Sequence, residues 1–239
     1  MSLVVPAVLP SSRKDLEEKL ALFAQFPSVN RIQIDVVDGR FASPATWPYT
    51  APGALQTMME HNVLLPKLDC IEYEIDLMCL DAENAAKTWL ALGATRLTFH
   101  AESIPDLRRF LASAHKRFGG GDGFTSGLIS FGLALNIASD LALIEPFLGD
   151  IEYVQFMGIA RIGQQGQPFD RRALEKVRAF RRRHPEMPVQ IDGGITLPVA
   201  RELVALDVTN LVIGSGILKA DDPAAAVLAF EALPSPFGV

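Results

Sequence analysis

The chain has 239 residues, 49% of them hydrophobic and 21% charged, with a net charge of −6. This is ordinary globular composition with enough chain for a large core. The acidic balance and the lack of a basic stripe argue against a nucleic-acid partner, and no apolar run reaches the roughly 18–20 residues that a membrane-crossing helix needs. The opening "MSLVVPAVLP" has neither a basic leader nor a small-residue cleavage site, so a signal peptide is not expected. Cys70 and Cys79 lack metal-type spacing and are expected as small buried residues in or beside one strand. A reduced, cytoplasmic compartment fits that usage.

Short β-branched or apolar runs alternate with amphipathic segments along the whole chain. The run at 4–9 precedes a helix that Ser11 or Ser12 can cap, with Leu16, Leu20 and Phe23 at helical spacing. "RIQIDVV" at 31–37 is the next strand, followed by a helix near 53–61. "EYEIDLMCL" leads into "ENAAKTWLALG", which stops at Gly93. "RLTFHA" leads into "IPDLRRFLASAHKRF", and "FGLALNI" into a helix over "SDLALIEPFL". "YVQFMGIA" leads through a long loop into "DRRALEKVRAFRRR", whose three terminal arginines suit the carbonyl end of a helix. "VQIDGGI" precedes "LPVARELVAL", and "NLVIGSG" precedes "PAAAVLAFEAL". The glycine-rich stretch at 119–127 reads as a flexible connection. Eight strand–helix units without a linker predict a single (β/α)8 TIM barrel over residues 1–239. A doubly wound open sheet is disfavoured, because no Gly-x-Gly-x-x-Gly follows the first strand.

In such barrels the chemistry sits at the carboxyl ends of the strands. Strand two offers Gln33 and Asp35, which share a face because side chains alternate along a strand. Strand three offers Glu74 and Asp76, strand four His100, strand five Asn136, and strand seven Gln190 and Asp192. Asp35, Asp76 and Asp192 thus fall at equivalent depths, and three converging carboxylates need protons or a cation between them. Asp38 falls on the other parity and is expected to fix the loop around Gly39. Met78 and Met157, at the ends of strands three and six, read as core residues. The turns "DGGI" and "IGSG" follow strands seven and eight, where barrels of this kind hold phosphate; Gly193, Gly194, Gly214 and Ser215 are the candidate contacts. The loop 158–170 has the length and composition of a lid, with Gly166 and Arg161 as candidate substrate or phosphate contacts.

These motifs, in this order, resemble the ribulose-phosphate 3-epimerase family over nearly the whole chain. "IDVVDGRF" resembles that family's H-x-D-V-M-D-G-x-F, "EIDLM" its D-V-H-L-M, "LTFHAES" its V-H-x-E, and "GLALN" its G-x-A-L-N-P. "QIDGGI" and "IGSGI" are similar to its two phosphate turns. The resemblance implies a ribulose-phosphate-binding barrel that inverts C3 of a pentulose 5-phosphate through an enediolate. Asp35 and Asp192 would be its acid–base pair, and a divalent metal would assist. It also implies a cytoplasmic homo-oligomer acting in carbohydrate metabolism on a small sugar phosphate.

The departures are as specific as the matches. The family's two metal-binding histidines fall on Gln33 and Asp76, its early serine on Ala7, and its lid N-P-G-F-G-G-Q on "ARIGQQGQ". The resulting ligand set (Gln33, Asp35, Asp76, Asp192) contains oxygen alone, which favours magnesium or manganese over zinc. Three readings therefore stand: an epimerase with an altered metal set, a related barrel acting on another sugar phosphate, and a phosphosugar-binding protein without catalysis.

Overall fold

The computed structural model describes residues 2–119 and 128–233. Eight parallel strands close into one barrel in sequence order. They are β1 (Val4–Val8), β2 (Arg31–Val37), β3 (Glu72–Met78), β4 (Arg96–His100), β5 (Ser130–Leu135), β6 (Tyr153–Met157), β7 (Val189–Asp192) and β8 (Asn210–Ile213). The helices are α1 (Arg13–Phe23), α2 (Ala54–Glu60), α3 (Ala82–Ala91), α4 (Leu107–Phe118), α5 (Arg172–Arg183), α6 (Leu197–Val204), the short α7 (Ser215–Leu218) and α8 (Pro223–Glu231). Among the described residues, no helix is long and apolar enough to cross a membrane.

The expected helix boundaries follow from local chemistry. Ser12 caps α1 by accepting from the Asp15 amide, Gly93 stands at φ +103° just past α3, and Arg181, Arg182 and Arg183 occupy the last turn of α5. Two expectations need correction. "SDLALIEPFL" forms two 3-10 segments, Leu141–Leu143 and Glu145–Asp150, in place of an α-helix. Pro146 has no N–H to donate, and its ring crowds the carbonyl four residues earlier, so the α-helical ladder cannot run through it. Cys79 is buried as expected, but Cys70 is exposed, because it lies in the turn before β3 and not in the strand. The glycine-rich connection expected at 119–127 lies, apart from Gly119, outside the described residues.

The main apolar core is the layer between strands and helices. The outward side chains of β2 (Ile32, Ile34, Val36), together with those of β3, β4 and β6, pack there against Leu16, Trp89, Leu111 and Phe180. The inside of the barrel is different. Barrels of this class are usually filled by branched aliphatic layers. Here Val5, Ala7 and Val212 form one small apolar cluster, and much of the remaining space holds buried polar groups: Gln33, Glu74, Asp76, Thr98, His100, Gln155 and Gln190. Gly132 makes part of this possible, since a Cβ there would lie 2.2 Å from the Tyr153 ring. That ring instead crosses the interior, with the Arg96 guanidinium 4.0 Å above its centre.

Candidate active site

β2 and β3 pair with Asp35 opposite Asp76, and β7 brings Asp192 to the same mouth. One carboxylate oxygen from each lies within 4.8 Å of those of the other two, and all three residues are buried. The Gln33 amide stands between two of them: its Nε2 donates to Asp35 Oδ1 at 2.9 Å and to Asp192 Oδ2 at 3.4 Å. Asp76 is held separately, by His100 Nε2 at 3.0 Å and Gln155 Nε2 at 2.9 Å.

Below this level the polar groups continue as a chain. Gln155 Oε1 accepts from Gln190 Nε2 at 2.7 Å, and Gln190 also donates to Glu74. Glu74 takes a further bond from Thr98 Oγ1 (2.8 Å) and pairs with Arg96 Nε at 3.2 Å. The deep carboxylate of β3 thus has a cation beside it, and so belongs to the barrel's support and not to its mouth. Asp38 behaves as its parity predicts: it accepts from the amides of Arg40, Phe41 and Leu80 and fixes the loop after β2.

The electrostatics of the cluster follow from burial and like charge. Asp35 is pushed up to about 8, first by burial and then by the Asp76 charge, with the amides of Gln33 and Gln165 pulling the other way. Asp192 is raised well above the usual carboxyl range, by burial and by Asp35 and Asp76. Near neutrality the cluster therefore holds a proton or takes up a cation. One protonated and one ionised carboxyl side by side are what an acid–base pair requires.

The same geometry fits a metal. An octahedral cation with oxygen ligands at about 2.0–2.1 Å spans about 4 Å between opposite oxygens, close to the separation of these three groups. Gln33 Oε1 is buried without a hydrogen-bond partner among the described residues, so a fourth oxygen is available. Its amide now turns Nε2 to the carboxylates, as expected where negative charge is uncompensated.

Beside the carboxylates lies a cavity of ≈ 30 Å³, bordered by Gly193, Gly194, Gly214, Ser215 and Gly166. Gly193 (φ +102°) and Gly194 (φ +71°) turn the chain tightly after β7. A Cβ on Gly194 would lie 2.7 Å from the Phe169 backbone, so only glycine lets the lid approach. Met78 and Met157 are buried, as expected, and also border this cavity.

The loop 158–170 covers the cavity and is held by its own glutamines. Gln165 reaches down to the Ala7 carbonyl (3.4 Å), Gln164 bonds the Ser43 carbonyl (3.0 Å), and Gln167 bonds the Gln164 carbonyl (2.9 Å). The remaining space holds about one water molecule, so any larger ligand requires Gln165 to withdraw. Of the residues singled out from sequence, Asp35, Asp192, Gly166 and the four turn residues border this cavity; Gln33 and Asp76 reach it only through the carboxylate cluster, and Arg161 and Asn136 border the adjacent cavity instead. Gln155 and Gln165 were not foreseen. Gln155 shares a face with Met157 on β6, a signal that was available. Gln165 lies in a loop, where no periodicity applies.

The sequence model of the ribulose-phosphate 3 epimerase family matches residues 3–218. The chain belongs to this family. It is 23% identical over 220 residues to ribulose-phosphate 3-epimerase of Schizosaccharomyces pombe, covering 92% of this chain and 88% of that one. It is 24% identical to the Escherichia coli K12 enzyme of the same name (92% and 90%) and 26% to the chloroplastic ribulose-5-phosphate-3-epimerase of Arabidopsis thaliana (99% and 79%). Among solved structures, KGPDC of Streptococcus mutans superposes with a TM-score of 0.61 at 17% identity, covering 97% of this chain and 96% of that one. The 3-hexulose-6-phosphate synthase of Salmonella typhimurium gives 0.63 at 12% identity, with 98% of each chain covered. At these identities the structural likenesses speak for the fold alone. As a ribulose-phosphate 3-epimerase family member, the chain carries Gln33 and Asp76 at the two positions where the motif resemblance implies histidines.

Proposed function

We propose that this chain is a cytoplasmic 3-epimerase of a pentulose 5-phosphate, with Asp35 and Asp192 as its acid–base pair. The observation that carries the reading is the pair itself: two buried carboxyls sharing one Gln33 amide, both raised, beside a glycine-lined cavity. The ionised member takes the C3 proton, and the C–H electrons move into the neighbouring carbonyl to give the enediolate. The protonated member returns a proton to the opposite face of C3, and the two carboxyls exchange roles. The backbone of Gly193, Gly194, Gly214 and Ser215 receives the phosphate. Closure of the lid excludes water and prevents loss of the enediolate.

Asp35, Asp76, Asp192 and the Gln33 carbonyl oxygen would hold a divalent cation, magnesium or manganese before zinc given oxygen-only donors. Such a cation supplies positive charge for the developing enediolate oxygens. The test is deuterium incorporation at C3 of ribulose 5-phosphate in D2O, with metal analysis of the untreated protein. Exchange that both Asp35→Asn and Asp192→Asn abolish supports the assignment; full exchange in either variant refutes it. A second reading, a different sugar phosphate on the same chemistry, is favoured by Ala7 and the altered lid. Turnover of another ketose phosphate without ribulose 5-phosphate exchange would select it.

A further inference from the structure

A second cavity of ≈ 530 Å³ opens at the barrel mouth beside the first, and Gln164 borders both. Its walls are the loop after β2 (Phe41, Ser43), the loop after β5 (Asn136, Ser139) and the lid residue Arg161. The β5 wall is held by four hydrogen bonds. Glu102 accepts from the Asn136 amide at 2.8 Å and from Ser139 Oγ, while Lys176 Nζ donates to the carbonyls of both residues. Because those bonds use backbone groups and the Ser139 hydroxyl, the Asn136 side-chain amide has no partner among the described residues. Arg172 also borders the cavity, but Asp170 engages it (2.6 Å). The Arg161 guanidinium has neither an ion pair nor a hydrogen bond among the described residues. The cavity therefore presents one solvent-exposed guanidinium without an ion pair and one half-buried free amide. The Gln164 bond to the Ser43 carbonyl separates it from the carboxylates.

Size sharpens the point. With phosphate on the turns after β7 and β8 and the reacting carbon at Asp35 and Asp192, a pentulose extends only a carbonyl and a hydroxymethyl group beyond that carbon. Those few atoms occupy a small part of this volume, since one water has a share of about 30 Å³.

We infer that this cavity is a distal subsite that binds an anionic group, a phosphate or carboxylate, at the C1 end of the substrate, with Arg161 as its counter-charge and Asn136 as a neutral donor. The inference rests on the proposed reading of the carboxylate site and adds a substrate class to it: ketose phosphates that carry a second negative group. Once Gln164 swings away with the lid, the two cavities form one cleft with an anion site at each end.

The test is calorimetric binding of ribulose 5-phosphate and ribulose 1,5-bisphosphate to the full chain, wild type and Arg161→Ala, at fixed salt. One charge-assisted guanidinium–phosphate contact predicts at least about tenfold tighter binding of the bisphosphate to the wild type. In Arg161→Ala that advantage should disappear while the affinity for the monophosphate changes less than about twofold. Equal affinity of the wild type for both sugars, or an advantage that survives in Arg161→Ala, overturns the distal subsite and leaves the proposed function standing. Binding of neither sugar overturns the pentulose reading, and the subsite with it.

Discussion

Asp35→Asn should make the metal-free protein more stable while removing its chemistry. In the folded chain this carboxyl is raised from 3.8 to about 8. At about 1.4 kcal/mol for each tenfold change in proton affinity, the full effect has an upper bound of about 6 kcal/mol. Proton sharing with Asp192 and local relaxation screen much of it, and about 2 kcal/mol is the expected remainder. Because the folded value lies above the unfolded one, no penalty exists below pH about 4. Wild-type stability then falls as pH rises toward 8. Asparagine keeps an acceptor for Gln33 but carries no charge, so its gain should be near zero at pH about 3.5 and largest near 8.5. For a chain of this size, about 2 kcal/mol corresponds to roughly 4–8 °C in Tm. The assay is thermal unfolding in chelator at the two pH values. A variant no more stable than wild type at the higher pH, or a gap that does not change with pH, refutes the reasoning.

Three further outcomes follow from the same geometry. Gln33→His should raise the affinity for zinc relative to manganese by at least about tenfold, because it replaces an amide oxygen with an imidazole nitrogen; competitive titration of the apoprotein with both ions checks it. Gln155→Leu removes a donor from Asp76 and an acceptor from Gln190, and should cost about 1–3 kcal/mol in denaturant unfolding with little effect on phosphate binding. Gly194→Ala places a Cβ 2.7 Å from the Phe169 backbone at a positive φ. It should destabilise the lid by about 1–3 kcal/mol and raise KM for the phosphorylated substrate more than it lowers kcat.

The parts of this fold with a strict period were legible. Period-two alternation placed Gln33 and Asp35 on one face, and the repeat of that pattern on β3 and β7 predicted the convergence of Asp35, Asp76 and Asp192. The glycine turns after β7 and β8 were readable because so few residue types allow such turns. Gln155 obeyed the same alternation but sat within an apolar run whose local pattern suggested plain packing. The glutamines of the lid, and the separation of Arg161 from the carboxylates, depend on the path of a loop over the barrel, which no local spacing encodes. The 3-10 segments after β5 show a local breaker, Pro146, overriding a helical apolar pattern.

The barrel interior relies on three glutamines, Gln33, Gln155 and Gln190, where other side chains could have neutralised the acidic mouth. An amide is the one uncharged side-chain group that offers two donors at one end and an acceptor at the other. Half a turn of its last bond exchanges the two ends without moving the backbone. Gln33 can therefore serve opposite tenants: its NH2 steadies two carboxyls when the mouth is negative, and its oxygen can face a cation when one arrives. An imidazole committed to a metal has no equivalent resting posture. In this chain, loading and emptying the mouth would be recorded in the orientation of an amide, and amide proton chemical shifts of Gln33 would report that state directly.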